Sequence, residues 1–344
     1  MFALFEDILP NLFRGRLDGS VCVGCSEEEI QAAVEAAVLG VDPAIRLVSG
    51  YQRKLREVVV PALAYVNQLV EQIPGVVDIN SKSFSNDPRV NAFFVNAEDM
   101  RRAFSRSSEL RDFLADCEST EVDSCTALLC MKMTERQVLG MELNGDQVKR
   151  DVPQITVSFS DHQISSPGLT EDDVRQGLKK CLFQSLVNNA LENLANCRAT
   201  VQQLDAERRV LYARARSLEH PGLPLGEQGD LDVGLQMSEL NRKLSELAQA
   251  RHEKHCLGPE GTLEQLREVF RQPESFVRLT NSTLNLSRLG VKLDPQASGG
   301  GRVDIAEVTL GSGQRRVVVL ARFPREELLP SQDFLSNVSH YLQL

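Results

Sequence analysis

The sequence predicts an α+β protein with an N-terminal helical domain, an antiparallel β-sheet domain and a long antiparallel coiled-coil hairpin inserted into the sheet domain. Three observations support this fold class. Apolar residues recur at helical spacing up to residue 116. They alternate at a period of two over parts of 117–169 and again after residue 275. Between 194 and 254 they follow a heptad repeat.

The predicted domain boundaries follow these changes of period. We expect a helical domain over 1–116, a discontinuous sheet domain over 117–169 and 257–344, a helix packed on the sheet over 170–193, and a coiled-coil arm over 194–256. Because a hairpin returns the chain to the place where it left, strands before and after the arm can belong to one sheet. A final helix is expected from about Pro330.

Helix start signals mark the first domain. Ser26 and Glu29 have the spacing of a capping box. Asp42 and Asp87 each precede a proline, and a carboxylate before a proline is typical of a helix start. Within the segment 51–75 the apolar stripe predicts a helix that Pro61 would kink.

Short alternating segments predict the sheet. Four of them, CTALLCMKM, QVLGMELNG, QVKRDV and QITVSFSDHQIS, form an expected meander with turns at Thr134–Arg136 and Asn144–Asp146. Three more strands are predicted in SFVRLTNSTLNLSRLGVKL, VDIAEVTLG and QRRVVVLARF. The glycines of SGGG and GSG precede strands rather than a helix, so we interpret them as turns and not as a phosphate-binding loop.

Two heptad seams predict the arm. Both step alternately by three and four residues: Leu194, Cys197, Val201, Leu204, Arg208, Leu211, Ala215 and Leu218 in the first, and Val233, Met237, Leu240, Leu244 and Leu247 in the second. Facing residues of an antiparallel pair have a nearly constant sum of residue numbers. Leu211 with Leu240 and Leu204 with Leu247 both sum to 451, which favours folding of the second helix back on the first. The same residues could pair two chains, so a homodimer stays open.

The composition narrows the class of partner and the compartment. A net charge of -10 disfavours a phosphate backbone or an anionic lipid surface as a partner. The first residues, MFALFEDILP, lack the basic start of a secretory signal, so we expect a cytoplasmic protein without a membrane span. The stripe of Phe2, Phe5, Leu9 and Phe13 is expected to pack on the protein itself. Eight cysteines in such a chain favour reduced thiols.

Soft ligands give one candidate site. Cys22 and Cys25 form a C-x-x-C pair, and His252, His255 and Cys256 cluster in RHEKHC. Together they could supply four ligands to zinc. The two groups are far apart in sequence, however, and no spacing requires them to meet. We therefore assign no metal ligand and interpret them as a loop and a solvated helix end.

Two further groups suggest chemistry only weakly. Asp161 and His162 lie beside Ser158 and Ser160, but neighbours on a strand point to opposite faces, so adjacency does not make a catalytic triad. Basic residues in the first arm helix suggest nucleic-acid contact: Arg208, Arg209, Arg214 and Arg216. Residues 194–255 nevertheless contain nine basic and nine acidic residues, which is typical of the solvated flank of a coiled coil.

The sequence thus predicts a cytoplasmic structural or protein-interaction protein that presents its arm, or the loop at the tip of the arm, to a protein partner. No catalytic, cofactor-binding or metal-binding residue is assigned. The first alternative is an enzyme or a metal-dependent protein with a site between the helical and sheet domains, for which Cys22, Cys25 and His162 are the residues to test. The second is a nucleic-acid-associated protein that uses the basic side of the arm.

Overall fold

The computed structural model describes residues 26–116, 123–144, 147–219, 227–252 and 258–330, apart from residues 296, 298 and 312. Over these residues the chain forms ten α-helices and a six-stranded sheet, which confirms the α+β class. Within them, no helix is both long and apolar enough to cross a membrane. The N-terminal phenylalanine stripe and the helix expected after Pro330 lie outside the described residues.

The secondary structure alternates between helices and strands. The helices are α1 Glu27–Val41, α2 Tyr51–Glu71, α3 Ser81–Asn86, α4 Pro88–Phe93, α5 Ala97–Ser105, α6 Ser108–Asp116, α7 Glu171–Glu219, α8 Glu227–His252, α9 Gly258–Arg271 and α10 Pro273–Phe276. The strands are β1 Val77–Asp78, β2 Ser124–Asn144, β3 Gln147–Gly168, β4 Val277–Leu286, β5 Gly301–Leu310 and β6 Gln314–Pro324. Two short 3-10 helices occupy Pro43–Leu47 and Arg325–Glu327.

The chain divides into two compact units. The first contains Met1–Leu63 and Gln184–Pro273, and the second contains Ala64–Phe183 and Glu274–Leu344. Helices α2 and α7 each contribute residues to both units. The boundaries proposed from sequence at residues 116 and 169 coincide with the ends of α6 and β3, whereas the boundary at 193 lies within α7. As domain boundaries, all three stay predictions.

The predicted caps are present at the helix starts. The Ser26 hydroxyl accepts from the Glu29 amide at 3.2 Å, and the Glu29 carboxylate accepts from the Ser26 amide at 2.9 Å. Asp42 caps the first 3-10 helix and Asp87 caps α4 in the same way. These local bonds satisfy amides that a helix leaves without an intrahelical partner. Helix α2 continues through Pro61 to Glu71.

The sheet has the order β3-β2-β6-β5-β4, with all these neighbours antiparallel, and β1 pairs in parallel with β6. The predicted four-strand meander is wrong, because β2 runs without interruption through the expected turn at Thr134–Arg136. Only Ser124–Met131 of β2 pairs with β6, so the rest forms a two-stranded ribbon with β3. Asn144 pairs with Gln147 at the end of this ribbon, and Gly145 and Asp146 lie outside the described residues.

Strand β3 contains three register shifts against β2, and each leaves an extra residue on β3. Asp151, Asp161 and Ser166 lie at these shifts with φ of 58°, 54° and 49°. A positive φ is uncommon for a residue with a Cβ, and Asp tolerates it better than most residues do. The shifts are therefore β-bulges, which bend the ribbon and increase its twist.

The core of the second unit lies between one face of the sheet and helices α4 to α6. Phe104 of α5 stacks on Phe323 of β6, with ring centroids 4.3 Å apart. Phe93 of α4 meets Phe159 of β3 edge to face at 5.2 Å. All four side chains belong to one apolar cluster that includes Cys125, Leu129 and Met131 of β2. The first half of β2 is buried on both faces, because Thr126 and Leu128 are buried as well.

Candidate functional site: helices α7 and α8

Helix α7 begins at a cap and packs closely on strand β3. Thr170 and Asp173 bond reciprocally, with the Asp173 amide donating to the Thr170 hydroxyl at 3.2 Å and the Thr170 amide donating to the carboxylate at 2.9 Å. One turn further, Gly177 lies so close to β3 that a Cβ on it would come within 2.6 Å of Ser166 Cβ. A glycine in a helix interior is destabilising unless close approach requires it, as it does here.

The middle of α7 is anchored in the first unit. Leu194 and Val201 are buried in a cluster with Val41 of α1. Between them, Arg198 Nη2 lies 3.3 Å from Asp42 Oδ2 and 3.3 Å from the hydroxyl of Thr262, a residue fully buried in α9. These contacts connect α7 to the loop after α1 and to α9, so Leu194–Val201 belongs to the packed part of the unit.

Beyond Val201, the buried and half-buried residues of α7 lie at the predicted heptad positions. Each first-seam residue that follows Val201 is buried or half-buried: Leu204, Arg208, Leu211, Ala215 and Leu218. The residues between them are exposed, apart from Asp205. In α8, Leu240 is buried and Met237, Leu244 and Leu247 are half-buried. Val233 lies at a position whose side chain is not described.

An ion pair connects α7 to the C-terminal end of α8. Arg251 Nε of α8 lies 2.9 Å from Asp205 Oδ1 of α7, and Asp205 also pairs with Arg208 at 3.6 Å. The Asp205 to Arg251 contact lacks hydrogen-bond geometry and is therefore an ion pair only. When the register predicted from sequence is continued to the end of α8, it brings Arg251 beside Val201. The observed partner, Asp205, lies about one helical turn further along α7.

A groove runs along one side of this helix pair. Its walls come from Ala206, Glu207, Val210 and Leu211 of α7 and from Lys243, Glu246, Leu247 and Ala250 of α8. Its volume is about 650 Å³. The floor is apolar, and Val210 is 67% exposed although it lies outside the predicted seam. The groove is thus an apolar strip bordered by charged side chains.

The charged residues around the groove carry both signs. Lys243 pairs with Glu239 at 2.9 Å, and Arg242 pairs with Glu246 at the same distance. Among the arginines proposed for nucleic-acid contact, Arg208 pairs with Asp205, whereas Arg209, Arg214 and Arg216 are exposed. The Lys243 ammonium holds the pKa of Glu239 below its ordinary value through a hydrogen bond and its charge. The described residues of α7 and α8 therefore present charge of both signs.

The candidate Asp161 and His162 point to different partners. Asp161 pairs with Arg316 of β6 at 2.6 Å, and that arginine lowers the pKa of the carboxyl group by hydrogen bonding and charge. His162 Nε2 lies 2.7 Å from the Phe93 carbonyl oxygen, and its ring stacks on Phe94. The Ser158 hydroxyl bonds to the Thr134 carbonyl. These observed contacts hold the bulged strand against its neighbours.

Most of the candidate zinc ligands lie outside the part of the chain that the structure describes. Cys22, Cys25, His255 and Cys256 lie outside the described residues, and the side chain of His252 is not described. Within the described part of the chain, no group of three or more histidine, cysteine or acidic residues could hold a metal ion. Cys130 and Cys181 are free thiols, and the Cys125 thiol donates to the Phe323 carbonyl oxygen. Cys197 is disulfide-bonded, so the expectation of reduced thiols is wrong for this residue.

Comparison with protein-family models, with curated proteins and with solved structures found no match for this chain. The geometry of α7 and α8 is therefore the basis for a functional proposal. Sequence reasoning predicted a seam between these helices, which stays a prediction, and it missed the groove. Ala206 and Val210 could have signalled it, because they add a second apolar stripe next to the heptad positions Leu204 and Leu211.

Proposed function

We propose that α7 and α8 form an antiparallel coiled-coil hairpin and that this arm is the site at which the protein binds a protein partner. The observation that carries the proposal is the heptad alternation of burial beyond Val201, matched by the half-buried and buried positions in α8. A helix that buries one narrow stripe and exposes everything else requires one partner helix. The ion pair between Asp205 and Arg251 makes α8 the natural choice.

The ion pair and the groove favour a register displaced from the one read from sequence. If facing residue numbers sum to about 455 instead of 451, Ala215 lies opposite Leu240, and both are buried. Leu211 then lies opposite Leu244 and Leu218 opposite Met237, all half-buried. A shift of one turn keeps apolar residues facing each other, because a heptad seam offers an apolar position at every third or fourth residue.

The exposed groove supports a binding role over a purely structural one. Two paired helices bury their shared seam without needing Val210, which remains 67% exposed. Exposed apolar side chains lower solubility unless a partner covers them. Grooves between helices commonly bind a further amphipathic helix, whose apolar residues occupy the floor while charged residues pair at the rim.

Removing the arm while keeping its anchor tests this proposal. The variant lacks Ala206–Ala250 and joins Asp205 to Arg251 through a short Gly–Ser linker. It keeps Leu194, Arg198 and Val201, which pack in the first unit. The intact protein and the variant serve as bait in parallel affinity purifications from nuclease-treated lysate, and circular dichroism checks that the variant is folded.

We expect one or more proteins to be recovered with the intact chain and lost with the folded variant. A point variant of the groove, Val210→Glu, should lose the same proteins, whereas Tyr212→Glu should retain them. Tyr212 is a suitable control because it is 57% exposed on the same helix and does not line the groove. Equal recovery by all four proteins would show that the arm is not the binding site.

A further inference from the structure

Charged residues in the groove and next to it have a spacing that favours contact between two identical chains. Glu207 and Val210 line the groove, and Arg214 follows Glu207 seven residues later on α7, one turn beyond the lining residues. Residues seven apart share one helix face. When this face meets a second α7 running in the opposite direction, Glu207 of each copy lies opposite Arg214 of the other, and Val210 lies opposite Leu211.

The α8 side of the groove carries a matching pair. Lys243 and Glu246 both line it, three residues apart. An antiparallel contact between two copies of α8 centred between Leu244 and Ser245 brings Lys243 of each copy opposite Glu246 of the other. Opposite charges at such positions favour the pairing and disfavour other registers.

Both contacts are compatible with one two-fold axis. The α7 contact is centred between Val210 and Leu211, and the α8 contact is centred between Leu244 and Ser245. In the hairpin register summing to about 455, these two points lie at the same height on the arm. A single axis that crosses both helices at this level therefore produces all four charge pairs at once, as an isologous interface requires.

We propose that the groove binds the arm of a second copy of this chain, so that two antiparallel hairpins form a four-helix bundle about that axis. This inference rests on the hairpin proposed above and names the partner class for it. Ala206 and Val210, which line the groove on α7, become part of the bundle core. Their small and branched side chains allow the close approach that helix bundles need.

Charge reversal in the full-length chain tests the predicted pairs, with sedimentation equilibrium as the measurement. The intact protein should have a mass of twice 38.2 kDa. Glu207→Arg and Arg214→Glu should each weaken the dimer about tenfold or more, because each places like charges opposite one another at two symmetry-related sites. The double variant Glu207→Arg/Arg214→Glu should recover dimerisation to within about threefold, since it restores both pairs in reverse.

Apolar variants separate this interface from a general effect on the arm. Val210→Glu should give a monomer, and Tyr212→Glu should leave the dimer unchanged. A dimer that persists when Ala206–Ala250 is deleted would overturn the inference, as would a double variant that stays as weak as the single ones. A monomeric intact protein overturns this inference alone, because the arm could still capture a different protein in the affinity experiment.

Discussion

Gly177 provides a test of how α7 packs on the sheet. Replacing a glycine in a helix interior with alanine ordinarily stabilises a protein by about 1 kcal/mol. At Gly177 the new Cβ would lie 2.6 Å from Ser166 Cβ, well inside ordinary contact distance. Overpacking of this kind costs about 1–3 kcal/mol. We therefore expect Gly177→Ala to lower the free energy of unfolding by about 1 kcal/mol net.

Ser166→Gly should reverse the sign of that effect. Without the Ser166 Cβ, the nearest remaining atom is Ser166 Cα at 3.8 Å, which is an ordinary contact. Ser166 also has a φ of 49°, which glycine adopts without strain. In this background Gly177→Ala should raise the free energy of unfolding by about 1 kcal/mol, giving a coupling of about 2 kcal/mol across the cycle.

Urea denaturation followed by circular dichroism measures the four proteins of this cycle. Ser166→Gly alone should be nearly neutral, because relief of backbone strain is offset by the greater freedom of glycine in the unfolded chain. If Gly177→Ala has the same effect with and without Ser166, α7 does not approach β3 at this point, and the packing argument is refuted.

Three further predictions concern the caps, pH dependence and thiols. Ser26→Ala should destabilise the first unit by about 1 kcal/mol in thermal unfolding, because it removes the capping bond to the Glu29 amide. At Asp87, burial opposes ionisation, but hydrogen bonds and charge from Arg89 outweigh it and lower the pKa. The ionised Asp87 therefore stabilises the fold above its unfolded pKa, and this stabilisation is lost as pH falls through its folded pKa. The free energy of unfolding of the wild type should exceed that of Asp87→Asn by about 1 kcal/mol at neutral pH, and the difference should vanish in acid. Cys130 is half-buried as a residue, but burial of its thiol raises the pKa to about 12. Alkylation of this thiol in the native protein at pH 8 should therefore be about a thousandfold slower than alkylation of a solvent-exposed cysteine, as measured by peptide mass spectrometry.

Local sequence signals predicted much of the fold because their causes are local. The caps at Ser26 and Thr170 depend on bonds within one helical turn. The strands β4 to β6 follow from alternation between clear turns. The heptad positions of α7 predicted which residues beyond Val201 are buried or half-buried, because that pattern depends only on the period of one helix.

Features that depend on a distant neighbour were missed. The segment Thr134–Arg136 looks like a turn because its residues are polar. In this part of the chain β2 pairs only with β3 and lies beyond the end of β6, so a strand tolerates polar residues there. Strand β1 consists of two residues held by β6 and has no signal of its own. The groove depends on how α8 is rotated and shifted against α7, which a single helix pattern cannot specify.

Photo-cross-linking from Leu218 tests the pairing of α7 and α8 most directly. Leu218 is half-buried near the C-terminal end of α7. It lies more than three helical turns from Asp205, which pairs with Arg251. A benzophenone amino acid at this position should cross-link within one chain, at the monomer mass of 38.2 kDa, to α8 around Met237. Cross-links that form only between chains, or that map outside α8, would contradict the hairpin on which the proposed arm and its groove depend.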